Sequence, residues 1–227
     1  MQSPQGSQDI PDLAGAAGQG ESRLEEDSRS PESKAALRSG IAQSITRIGL
    51  IAALHATVTI IVLFSMQYLA WGPVQFRLSE ALTVLPLFFE EAVVGLTLGT
   101  FISNLIYALS TTGPLSLLDV IFGPIATFLG ALWTYRLRRR NILLALAGPI
   151  IVNALIVPAY LPFIFMALDI HEAVYSIPAL GITAAGSFAL MYVFGLAFVG
   201  LGQAVVVYAL GLPLARILKR VSKTQDT

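Results

Sequence analysis

Charged and amide side chains stand out in this chain because nearly everything around them is apolar. Asp119 lies between Leu117-Leu118 and Val120-Ile121. A charge inside an apolar crossing costs on the order of 2.5 to 3.5 kcal/mol at mid-membrane, so each one needs a partner or a task. Asp119 stands three residues into its apolar run, roughly 5 Å along a helix axis. It also completes Ser116-Leu117-Leu118-Asp119, the spacing of a capping box at the positive end of a helix dipole. Cap and ligand contact are equally supported. Arg77 and Glu80, in Gln75-Phe76-Arg77-Leu78-Ser79-Glu80, are three apart at a helix entry. They can pair with one another, and an interfacial ion pair with Ser79 as cap is their simplest account. Asn104 follows Thr100 by one turn, Asn153 lies between Pro149 and Pro158, and Gln203 is central in the last apolar run. In lipid such amides turn toward protein or a cavity, and helix-to-helix hydrogen bonding explains any one of them.

Together they say more. If the helices form one bundle, two acids (Glu80, Asp119), three amides (Asn104, Asn153, Gln203), Arg77 and the aromatics Phe76, Tyr107 and Tyr160 point toward one half of its interior. A planar polar heterocycle needs that mixture: carboxylates and amides for its hydrogen-bonding edge, aromatic faces for its π surface. His55, beside Ala56, is expected to be a hydrogen-bonded structural residue. Ala52 and Ala56, like Gly95 and Gly99, are four apart and give smooth stripes along which another helix can approach closely.

The elements that must hold these residues follow from composition. The chain has 227 residues, of which 55% are hydrophobic and 12% charged, with no cysteine. Its mean hydropathy is +0.73, that of a membrane protein. Without Cys there is no disulfide framework and no Cys-based metal site, and His55 and His171 are too far apart to indicate a His-rich centre; no cofactor is expected. The net charge of zero hides a split: residues 1–33 hold seven acids against two arginines, the rest seven acids against twelve bases. No concentrated basic face for nucleic acid is visible.

Residues 1–40, rich in Ser, Gly, Gln, Pro and Glu, are expected to form a disordered cytoplasmic tail ahead of a transmembrane domain at 41–227. No signal peptide is expected, since the start is neutral to acidic. A hydrocarbon core of about 30 Å takes roughly 20 helical residues. Six apolar runs are legible, near 47–66, 80–89, 92–109, 116–135, 142–166 and 190–212, with 175–189 as an outer loop or interfacial helix. The second is too short to cross unless it is extended, tilted or buried among its neighbours. Basic clusters precede the first run (Lys34, Arg38, Arg47), join the fourth to the fifth (Arg136, Arg138, Arg139, Arg140) and follow the last (Arg216, Lys219, Arg220, Lys223). Placing all three in the cytoplasm gives an all-α, six-crossing bundle with both termini inside.

None of Lys34, Lys219 and Lys223 follows a glycine, so there is no phosphate loop of the G-x-x-x-x-G-K-[ST] kind. His171-Glu172 lacks the second histidine of a zincin helix, and no Ser lies in a G-x-S-x-G turn. An enzyme is not expected.

The run Gly72-Pro73-Val74-Gln75-Phe76-Arg77-Leu78-Ser79-Glu80-Ala81-Leu82-Thr83-Val84-Leu85-Pro86 resembles the entry of the QueT family, substrate-binding S-components of energy-coupling factor transporters for queuosine precursors. Glu91-Ala92 with Gly95 and Gly99, Asn104, Leu118-Asp119-Val120 with Phe122-Gly123, Val152-Asn153-Ala154-Leu155 and Gly202 through Leu210-Gly211-Leu212-Pro213 continue the resemblance in order, over about 45–220. It implies a six-helix S-component of the bacterial plasma membrane that binds a 7-deazaguanine precursor at its outer face, with a coupling membrane subunit and two ATPase subunits as partners. It implies that the loop around Gln75 to Glu80 gates the pocket, with Phe76 and Arg77 at its mouth. Glu80, Asn104, Asp119 and Asn153 are the implied ligand contacts, Tyr107 and Gln203 complete the expected lining, and Ala52 and Ala56 match the A-x-x-x-A contact for the coupling subunit. Where similar members have an acid after the helix-six glycine, this chain has Gly202-Gln203, which keeps hydrogen bonding and loses a charge. An S-component for another vitamin or nucleobase, or a proton-coupled secondary transporter, are the alternatives; the latter often shows inverted repeats, and none is evident here.

Overall fold

The computed structural model describes residues 31–66, 76–110 and 116–225. Most of the expected tail, Gln75 and the turn at 111–115 lie outside the described residues. By compactness the chain divides into Met1–Ser44 and Ile45–Thr227. The described residues of the first unit, 31–44, are helical, so 31–40 form a helix and not part of a disordered tail, and 33–43 are exposed; the account below concerns the second.

Among the described residues the elements are α1 (Pro31–Ser65), a 3-10 helix (Leu78–Leu87), α2 (Glu91–Ser110), α3 (Leu117–Leu137), α4 (Ile142–Ala167), α5 (His171–Val174), β1 (Ser176–Ile177), a single 3-10 turn (Pro178–Leu180), β2 (Ile182–Thr183), α6 (Phe188–Val205), a π-helical stretch (Val206–Gly211) and α7 (Leu212–Gln225). Five helices are long and apolar enough to cross a membrane, the last running on from Phe188 through the π stretch. The chain is therefore a multi-pass membrane protein.

The run near 80–89 is the exception the sequence flagged. It winds as a ten-residue 3-10 helix, about 2.0 Å per residue. It buries Ser79, Glu80, Thr83, Val84, Leu85 and Pro86 among its neighbours. Opposite it, the last helix loosens into the π stretch, where a Cβ on Gly211 would stand 2.8 Å from Val84 Cγ1 and 3.1 Å from the Ala81 carbonyl oxygen. Only a bare Cα fits that approach.

α3 and α4 are joined by a tight connection in which Asn141 caps α4, its side chain accepting from Leu143 N at 2.8 Å. Gly130 lets Pro149 in, at 2.8 Å from where its Cβ would be. Pro149 cannot donate to the Ala145 carbonyl. Thr134 Oγ1 on α3 meets that carbonyl at 3.1 Å, which satisfies it without water.

At this end of the bundle Arg47 pairs with Glu91 at 3.2 Å and the Tyr135 hydroxyl donates to Glu90 at 2.6 Å. At the other end α4 stops on Asp169 in the left-handed region (φ 54). Ile170 N bonds the Phe165 carbonyl and Asp169 N the Met166 carbonyl, the paired bonds of a Schellman stop. The expected outer loop at 175–189 contains a two-stranded antiparallel hairpin pairing Ser176 with Thr183 and Ile177 with Ile182. Tyr175 anchors it between Phe165 and Phe194, with ring centroids at 5.9 and 5.8 Å. Burial there pushes the Tyr175 phenol well above its usual range.

Candidate functional site

Asp119 sits in the first turn of α3. Ser116 makes no side-chain cap bond. The Asp119 carboxylate instead turns inward: Tyr160 Oη on α4 donates to Oδ1 at 2.5 Å, and Arg77 Nη2 stands 3.7 Å from the same oxygen. The Arg77 separation is an ion pair and not a hydrogen bond. Arg77 thus pairs with Asp119 rather than Glu80, because it enters the 3-10 helix extended (φ −84, ψ 90) and its side chain leaves the local helix face.

Asn104 Nδ2 on α2 donates to the Asp119 carbonyl at 2.8 Å, tying α2 to the start of α3. Glu80, 2% exposed, accepts from Gln203 Nε2 at 2.9 Å. The Thr59 hydroxyl shares a 2.7 Å bond with Ser79 and donates to the His55 carbonyl at 2.8 Å. Phe122 stacks on Tyr160 with centroids 5.6 Å apart and planes at 24°. Six elements therefore converge on one polar cluster.

The cluster borders a hollow of ≈ 20 Å³ lined by Thr59, Val62, Leu63, Arg77, Leu78, Ser79, Asn104 and Asp119. That is room for a water-sized occupant, well below the roughly 300 Å³ of the smaller ligand pockets. The chemistry is assembled while the space is closed. With Arg77 3.7 Å from Asp119, the hollow admits nothing larger than a few atoms.

Of the expected site residues, Arg77, Asn104 and Asp119 line the hollow, and Glu80 and Gln203 bond one another. Phe76 is half-buried at the entry, and Gln75 lies outside the described residues. Tyr107 packs edge-on against Phe64 at 5.8 Å and is not in the lining. Asn153 is buried but spends its amide locally, Nδ2 donating to the Pro149 carbonyl at 2.9 Å. Ala52 and Ala56, 5% and 6% exposed, are enclosed by this chain itself. α2 covers that face, the site of a Cβ on Gly99 lying 2.8 Å from the Ala52 carbonyl oxygen.

Two residues do more here than the sequence alone indicates. Tyr160, expected as an aromatic face, also supplies the hydroxyl that is the nearest partner of Asp119. Gly123 stands one turn after Asp119, and a Cβ there would collide with Asn104 Nδ2 and come within 3.2 Å of Asp119 Oδ1. A glycine four residues after the only acid of an apolar run was the available signal. Among the described residues no group of three or more His, Cys, Asp or Glu could hold a metal ion.

An apolar helical bundle that encloses a charged, aromatic-flanked cluster at one end is the build of a membrane protein handling a polar solute. The match to the family model described as QueT transporter, over residues 45–220, makes this specific: the chain belongs to the QueT transporter family. Neither curated proteins nor solved structures give a match.

Proposed function

We propose that the chain is the substrate-binding S-component of an energy-coupling factor uptake transporter, taking a 7-deazaguanine precursor of queuosine from outside. Family membership supports transport, and the observation that carries the solute class is the buried Asp119 carboxylate between the Tyr160 phenol and the Arg77 guanidinium. A guanine-like edge presents N1–H and an exocyclic amine to carboxylate oxygens of Asp119 and Glu80, and O6 to Arg77 or the Asn104 amide. Phe122 and Tyr160 stiffen one wall. Leaving one of these groups unpaired costs about 1 to 3 kcal/mol, which separates guanine-like from adenine-like bases.

In this reading the 3-10 helix is a short second crossing, so the chain crosses six times. The end holding Arg47, Glu91 and Tyr135 is cytoplasmic with both termini, residues 1–40 are a solvated tail, and 41–227 form the binding domain. A coupling subunit and two ATPases supply the work. Because Ala52 and Ala56 are covered, the coupling subunit meets the neighbouring outward face of α1 at Gly49 and Ala53, both exposed.

Mass spectrometry of the small molecule retained through gentle detergent purification, followed by titration with 7-cyano- and 7-aminomethyl-7-deazaguanine, tests the substrate. A retained solute with no purine-like edge, or equal affinity for adenine, sinks it. Uptake by the chain alone in liposomes, driven by a pH gradient without ATP, would replace the S-component with a secondary transporter.

A further inference from the structure

His55 contradicts its expected role. The residue is 1% exposed, and among the described residues neither Nδ1 nor Nε2 has a hydrogen-bond partner. An imidazole always carries at least one N–H to donate, and the neutral ring also carries an acceptor. Leaving buried polar atoms unpaired is unfavourable, and a leucine of similar size would avoid that loss. Among the described residues no side-chain hydrogen bond accounts for a histidine here: beyond its helical backbone bonds, its carbonyl accepts from the Thr59 hydroxyl.

Its position supplies the account. His55 precedes Thr59 by one turn on the same face of α1. Thr59 lines the closed hollow together with Ser79, Arg77, Asn104 and Asp119. His55 is therefore the next side chain inward, about 6 Å farther along the helix axis. The facing position on α2 is Gly99, where a Cβ would stand 2.9 Å from His55 Cβ and 3.2 Å from Nδ1. The absence of a side chain at Gly99 leaves the ring its place.

We propose that His55 is the innermost contact of the substrate site, its ring nitrogens hydrogen-bonding the heterocycle once Arg77 and Asp119 have parted to admit it. This rests on the heterocycle-binding reading above and deepens it: the solute must present a polar edge to the floor of the site as well as to Asp119. Thr59 and Ser79 are then the polar step between mouth and floor.

The full chain in detergent, carrying His55→Leu or, as a volume-conserving second variant, His55→Met, is titrated with 7-cyano- and 7-aminomethyl-7-deazaguanine beside an Asp119→Ala control, and thermal unfolding is followed without ligand. The expected result is at least a tenfold loss of affinity with an unfolding midpoint that holds or rises, since an unpaired polar ring has been replaced by an apolar side chain. Unchanged affinity in either folded His55 variant overturns the proposal, and if Asp119→Ala still loses binding, the heterocycle reading stands alone. Failure of both His55 variants to fold also overturns it, because the imidazole would then hold the bundle together. No binding of either probe by the unaltered chain overturns both readings.

Discussion

Gln203 and Glu80, 123 positions apart in sequence, share a buried hydrogen bond of 2.9 Å from the amide nitrogen to the carboxylate oxygen. It joins the end of α6 to the 3-10 helix, which Gly211 meets at Val84 about two turns farther along. Two irregular helices are therefore held in register by one amide and one bare Cα. A donor to a buried carboxylate is among the more valuable neutral groups a membrane bundle can place.

Gln203→Leu is expected to destabilise the chain by about 2 kcal/mol, because Glu80 loses its donor without regaining water. Glu80→Gln keeps an amide-to-amide bond and should cost less than half of that. Thermal unfolding of the two variants in one detergent gives the comparison, and an equal loss in both would show that the bond carries no special weight.

Asp119→Ala is expected to weaken binding of a 7-deazaguanine precursor at least tenfold, about 1.4 kcal/mol. Tyr160→Phe removes one hydroxyl and keeps the ring on Phe122, so its effect should be several-fold smaller. Equilibrium binding with a radiolabelled precursor reads both, and unchanged affinity in Asp119→Ala removes that carboxylate from the site.

Gly123→Ala places a methyl where Asn104 Nδ2 lies and 3.2 Å from Asp119 Oδ1. Affinity should fall about tenfold although the helix itself gains up to ~1 kcal/mol of propensity. Gly49→Ala, where no atom lies within 4 Å of the added carbon, should show the propensity gain without a steric penalty. The unfolding midpoints of the pair, with and without ligand, separate the two effects.

Asp169 holds the left-handed stop of α4 at φ 54. Asp169→Gly should stabilise the chain by roughly 1 kcal/mol, since glycine takes that conformation without the Cβ clash. A lower unfolding midpoint would mean that the aspartate side chain contributes more than its backbone strain costs.

The amino-acid sequence on its own determined the setting of this protein: apolar runs near 92–109, 116–135 and 142–166 became α2, α3 and α4 within a residue or two at each end. Lipid offers the backbone no partner, so a long apolar run has only the helix available to it. The same scarcity made Asp119, Glu80, Asn104 and Gln203 visible, because a polar group in such a run is costly unless it is used. Pairing was another matter. Arg77 went to Asp119 and not to Glu80, Asp119 to Tyr160, Asn153 to its own helix, and the His55 ring to no hydrogen-bond partner among the described residues. α4 carries apolar side chains nearly all around, so its sequence specifies no buried face. How each helix is rotated and how deep it sits emerges from contacts such as Gly99 under His55 and Gly130 under Pro149, where two backbones meet and only the folded bundle brings them together.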